Sequence, residues 1–135
     1  MIDLDLDTID PPALIILQGL PASGKSTIAR ALAAAHPSIV RVNRDEIRRS
    51  LGSKFDARAE KRVRQLRDEQ IDQALEAGKI VVSDDTNLKE ETLAELRRIA
   101  RRHRAELHTI PVETSVAESL RRDALRPEGE RVGPQ

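Results

Sequence analysis

The sequence predicts an α/β fold: a parallel sheet of about four strands flanked by helices on both faces. Three observations predict it. Short apolar or β-branched runs alternate with stretches of helical periodicity, the pattern of parallel strands joined by right-handed crossovers. The first apolar run leads directly into Gly19-Leu20-Pro21-Ala22-Ser23-Gly24-Lys25-Ser26-Thr27, which matches the phosphate-binding pattern G-x-x-x-x-G-K-[ST] at every fixed position. Polar clusters close the second and third strands, at the edge where open α/β sheets bind ligands.

Each element follows in order. Residues 1–12 are acidic and end in Pro11-Pro12, so a loosely ordered lead-in is expected ahead of a domain over 13–135. Asp5-Leu6-Asp7-Thr8 resembles the paired aspartates of dehalogenase-type phosphatases only superficially, because too little chain precedes the phosphate loop for such a domain. Ala13-Leu14-Ile15-Ile16-Leu17 is the first strand. A helix begins near Gly24 and ends near His36-Pro37, since proline disfavours helix in the residue before it. The β-branched run over 38–43 is a second strand, and a short helical turn carries Asp45 and Arg48 on one face.

Gly52 and Ser53 break the chain. A long helix runs from about Asp56 to Ala77, burying Val63, Leu66, Ile71, Ala74 and Leu75, with Gly78 at its C-cap. Its arginines at 58, 62, 64 and 67 could form a nucleic-acid patch, but a solvated face paired with the helix's own acids is the favoured reading. Lys79-Ile80-Val81-Val82-Ser83 is a third, central strand, closed by Asp84-Asp85-Thr86-Asn87. Asn87, with Glu90 three residues on, reads as the N-cap of the next helix, whose buried stripe is Leu93, Leu96, Ile99 and Ala100. A fourth strand spans 106–112. Ser115 and Glu118 then cap a last helix that carries Arg121 and Arg122, and Arg126 opens the loop beyond it.

Composition removes several classes of function. With 23 basic and 23 acidic residues the formal net charge is zero, so no global field draws the chain to nucleic acid or membrane. The absence of cysteine excludes disulfides, thiolate metal sites and a thiol nucleophile. Phe55 is the only aromatic residue, which argues against surfaces that stack bases on rings. No apolar run approaches the ~20 residues of a membrane span, and the acidic N-terminus resembles no signal or transit peptide. A cytoplasmic location is the expectation. None of His36, His103 and His108 has metal-ligand spacing.

The motif carries its own chemistry. Glycines let the backbone turn tightly and converge N–H groups on phosphate oxygens, and the following helix adds the positive end of its dipole. Lys25 supplies a charge for the β- and γ-phosphates, and the Ser26 hydroxyl can ligate Mg²⁺. Gly19, Pro21, Ala22, Ser23, Gly24 and Thr27 complete a P-loop NTPase cradle for a nucleoside triphosphate. Asp45, Asp85 and the arginines at 122 and 126 converge on the same sheet edge, a set suited to phosphoryl transfer. Each also has a plainer role: Asp45 as a cap or partner of Arg44 or Arg48, Asp85 as a turn former, the arginines as complements to a helix dipole.

The phosphate loop, together with Val42-Asn43-Arg44-Asp45-Glu46-Ile47-Arg48 and Ser83-Asp84-Asp85-Thr86-Asn87-Leu88, resembles the kinase domain of phage-type 5′-hydroxyl polynucleotide kinases over roughly residues 13–132. The resemblance implies an ATP- and Mg²⁺-dependent enzyme that phosphorylates a 5′-hydroxyl end of DNA or RNA, with nucleic acid as its partner. It implies that Asp45 is the general base, that Arg48 grips the acceptor near its first phosphate, and that Asp85 and Thr86 shape the acceptor pocket. It further implies that Arg122 and Arg126 belong to a lid, Arg126 stabilising charge at the γ-phosphate. The chain departs from that pattern in having Asp123 after Arg122 where asparagine is usual. It also ends at Gln135, where family members continue into a further helical segment. Two other readings keep the phosphate loop: a kinase for a small-molecule hydroxyl (sugar, nucleoside or antibiotic, or one resembling zeta-type toxins), and an ATP-binding interaction module without turnover.

Overall fold

The computed structural model describes residues 8–20, 24–52 and 57–112. Eight elements follow one another: β1 (Ala13–Gln18), α1 (Lys25–Ala35), β2 (Ile39–Val42), α2 (Arg44–Leu51), α3 (Ala57–Glu76), β3 (Ile80–Asp84), α4 (Glu90–Arg102) and β4 (Glu106–Pro111). The strands form one parallel sheet in the order β2-β3-β1-β4. Parallel strands must be joined by crossovers, and here helices supply them. The expected fold class is the observed one.

The sheet's two faces are read directly from β1, because successive side chains of a strand point to opposite sides. Leu14 and Ile16 pack with Val42, Ile47, Val81 and the apolar stripes of α3 and α4. Ala13, Ile15 and Leu17 pack with Val82, Ile39 and Ala29 of α1. All five are fully buried, so β1 is covered on both faces and reads as a continuous apolar run rather than an alternating one. The stripe expected on α4 is buried in full. On α3, Val63, Ile71, Ala74 and Leu75 are buried and Leu66 packs against them. β4, with β1 on one side, alternates half-buried and exposed residues.

Two expectations about where ordered elements begin are corrected. Within the lead-in expected to be loose, residues 8–12 are packed: Ile9 is buried with the α1-side core, and the Asp10 N–H donates to Glu106. Glu106 in turn donates its N–H to the Pro12 carbonyl, and the Pro11-Pro12 bond is cis. An apolar residue beside an open core edge orders a segment that its acidic composition alone would leave loose. The helix start at Asn87 is the second. Helix α4 is capped by Lys89 instead, and Asn87 adopts a left-handed conformation at φ 50° with its side chain turned into the sheet. Asparagine tolerates that conformation better than most residues. The final helix expected from Ser115 lies outside the described residues.

Arg67, expected on a solvated face, is instead the largest fully buried side chain among the described residues. It donates to Asp68 on its own helix and to Glu95 on α4, so it joins α3 to α4, while its Nη1 is buried without a hydrogen-bond partner. Removing one partner of a buried charge costs more than replacing the charge by an apolar side chain. Glu95→Ala is therefore expected to lower unfolding free energy by about 1–3 kcal/mol, and Arg67→Met by less. Urea denaturation checks the ranking; the reverse order would show that Arg67 is stabilising in its own right. Arg58, Arg62 and Arg64 are exposed.

Candidate active site

The C-terminal ends of β1, β2 and β3 open into a cleft of about 590 Å³, lined by residues 24–27, 43–45, 48 and 84–86. The fold thus brings Gly24, Lys25, Ser26, Thr27, Asp45, Arg48, Asp85 and Thr86 to one cavity. Gly19 lies at the base of the loop. Pro21, Ala22, Ser23, Arg122 and Arg126 lie outside the described residues.

On the phosphate-loop side, Gly24 caps α1 at φ 101°, a left-handed conformation that glycine adopts without a Cβ penalty. It frees the first turn of α1 to aim its N–H groups into the cleft. Lys25 is buried, and its Nζ donates to the Leu20 carbonyl at 3.0 Å, spanning the loop. An ammonium held at that loop is placed to meet phosphate oxygens.

The opposite wall is α2. Asn43 caps it: its Oδ1 accepts the Glu46 N–H at 3.0 Å, and its Nδ2 donates to the Asp84 carbonyl. One side chain thereby starts the helix and ties it to β3. Asp45 is exposed to the cleft, and Arg48, one turn on, donates Nη1 to its Oδ1 at 2.5 Å. The ion pair expected as Asp45's plainer role is present, and it joins the two residues the resemblance assigns to the acceptor.

Asp85 is engaged with α2. Its Oδ1 accepts the Arg44 N–H at 3.0 Å, and its Oδ2 lies 3.3 Å from the Arg44 Nε. Burial pushes its carboxyl up, against the opposing pull of Arg44. A folded-state pKa above the unfolded one means that the folded chain holds the proton more tightly. The group's penalty is therefore absent at low pH and grows as pH rises through the folded value. The stability of Asp85→Asn relative to the wild type is accordingly expected to increase between about pH 3 and pH 7. Urea midpoints across that range check it; a flat or falling difference would contradict the direction.

Several residues that complete the site were not picked out from the sequence. Asp84 ends β3 in the cleft wall; its Oδ2 takes Arg41 of β2, and its Oδ1 is buried without a hydrogen-bond partner. Paired acids after an apolar strand were visible, but that both line the cleft was not. Asn87 donates Nδ2 to the Leu17 carbonyl at 2.8 Å and to Ser83, while Gln18 donates to the Asn87 carbonyl and Gly19 to that of Thr86. These bonds stitch the loop after β3 onto the base of the phosphate loop. No spacing rule reveals such a seam.

A protein-family model described as "AAA domain" matches residues 14–133. No curated protein matches the sequence. Among solved structures, a chain of the Pnkp1/Rnl/Hen1 complex is 26% identical, with a TM-score of 0.69 over 97% of this chain and 42% of that one. The Pnkp1/Rnl/Hen1 RNA repair complex gives 23% identity and a TM-score of 0.70 over 98% of this chain and 43% of its match. The APS kinase CysC of Mycobacterium tuberculosis has a TM-score of 0.65 at 16% identity, over 88% of this chain and 82% of that one. The chain spans less than half the length of the first two. Together with the four-stranded parallel sheet, these likenesses show a P-loop kinase fold built to hold a nucleotide.

Proposed function

The chain belongs to the AAA-domain family and has a P-loop kinase fold, and from that premise we propose that it transfers the γ-phosphate of ATP to the 5′-hydroxyl end of a polynucleotide. One observation carries this reading: a carboxylate and an arginine, Asp45 and Arg48, are paired on the cleft wall facing the phosphate-loop residues Lys25 and Ser26. The likeness to a chain in an RNA repair complex supports nucleic acid as the acceptor.

In this reading Lys25 and the N–H groups at the start of α1 hold the donor's phosphates. Asp45 accepts the proton of the attacking hydroxyl while its oxygen bonds to the γ-phosphorus and the bond to the departing ADP breaks. Arg48 binds a phosphate of the acceptor strand. Asp85 acts through Arg44 and the start of α2, and Thr86 lines the pocket beside it. For Arg122 and Arg126, which lie outside the described residues, this reading keeps the donor-side role that the resemblance implies. The Ser26 hydroxyl and the partnerless Oδ1 of Asp84 fit Mg²⁺, and these two would hold it. When bound, Mg²⁺ supplies charge neutralisation at the β- and γ-phosphates.

The direct test is to incubate the protein with Mg²⁺, γ-labelled ATP and a 5′-OH oligonucleotide. Label on the oligonucleotide 5′ end is expected. Label on a member of a metabolite panel, with none on the oligonucleotide, would instead establish the small-molecule reading, which zero net charge and a single aromatic residue favour.

A further inference from the structure

The acceptor wall depends on a residue that does not line the cleft. Arg48 reaches its position from α2, and its guanidinium is met from α3 by Glu60. The Arg48 Nε donates to Glu60 Oε2 at 2.8 Å and its Nη2 to Oε1 at 2.6 Å, while Nη1 donates to Asp45 at 2.5 Å. The Glu60 and Arg48 side chains are 27% and 22% exposed, against 71% for Asp45. The firm partner is therefore on the side away from solvent, and the exposed one faces the cleft.

Guanidinium is a planar fork, and a carboxylate that takes two donors along one edge fixes both its position and its plane. Without such a partner, the long arginine side chain samples many rotamers. We propose that Glu60 is the positioning residue of the acceptor half: by clamping the Nε/Nη2 edge of Arg48, it presents the Nη1 end beside Asp45. The charges agree with this. Among the contacts described, Arg48 has one carboxylate at its back and one at its front, so an incoming phosphate competes with Asp45 for Nη1 while Glu60 keeps its hold. Helix α3 thereby sets the acceptor geometry from outside the cavity, across the α2–α3 contact.

The inference rests on the acceptor reading above, and the experiment separates the two. Steady-state kinetics with Mg-ATP and a 5′-OH oligonucleotide are measured for the wild type and Glu60→Gln, together with melting temperatures. The oligonucleotide KM is expected to rise about tenfold while the KM for ATP and the melting temperature barely change, and Glu60→Asp recovers part of the loss. In an Arg48→Lys background, which lacks the fork, Glu60→Gln is expected to have little further effect. Equal rises in both KM values, an unchanged oligonucleotide KM, or a full Glu60→Gln effect on top of Arg48→Lys would each overturn the positioning role. Should Glu60→Gln fail to fold, Glu60→Asp is judged by the same KM criterion. An active wild type with an unaffected variant overturns this inference alone, whereas a wild type that leaves the oligonucleotide unlabelled overturns the acceptor reading and this role with it.

Discussion

Asp45→Asn is expected to lower phosphoryl transfer by roughly 10²–10⁴-fold, the usual contribution of a positioned general base, while ATP affinity stays close to that of the wild type. Asparagine has the same shape, and its amide oxygen can still accept the Arg48 Nη1 hydrogen bond, so the cleft wall is left in place. What disappears is the capacity to take a proton. Asp45 is highly exposed and takes no part in a buried network, and the N-cap of α2 is supplied by Asn43, so loss of folding is not a competing explanation. Single-turnover transfer alongside equilibrium ATP binding separates the two steps. Transfer within a few-fold of the wild type would remove Asp45 from the chemistry and leave it as the partner of Arg48.

The second large effect is structural. Asn87→Leu is expected to lower unfolding free energy by about 3–5 kcal/mol. A bulky side chain in the left-handed region costs ~1–2 kcal/mol, and each lost hydrogen bond adds about 1 kcal/mol. The bonds at stake run from Nδ2 to the Leu17 carbonyl and to the Ser83 carbonyl and hydroxyl. Asn87→Gly divides the effect, because glycine accepts the conformation but makes none of these bonds, and about half the loss is expected there. Chemical denaturation of the three proteins gives the numbers. Equal stability of Asn87→Leu and the wild type would show that the seam between the two loops contributes nothing. Transfer should fall with Asn87→Leu even at temperatures where the variant stays folded, since the loop carrying Asp85 and Thr86 loses its register against the phosphate loop.

The fold was legible because its signals are periodic. The run over 13–17 and the stripes of α3 and α4 name their own buried faces, and the phosphate loop marks the strand-to-helix turn by chemistry no other turn requires. Asp45 and Arg48 could be paired from their spacing alone. What sequence could not supply were partners remote in the chain. Glu60 lies 12 residues from Arg48 and on another helix, and Asn87 lies 70 residues from Leu17. The misplaced start of α4 has the same origin: asparagine followed by glutamate three residues later satisfies the capping rule, but tertiary bonds to β1 and β3 claimed the side chain first. Ile9 shows the converse, a single apolar residue outweighing the acidic composition around it.

The strand order has a consequence for how such a site can change over generations. β3 lies between β1, which carries the phosphate loop, and β2, which leads into α2. Nearly all the side-chain bonds described across that divide start from one short stretch, residues 83–87. On the proposed reading, substitutions in β2, α2 or the facing turn of α3 would change the acceptor side and leave the phosphate-loop side as it is. Such a division leaves the two walls of the cleft free to vary separately, provided the stretch at the end of β3 is kept as their common joint.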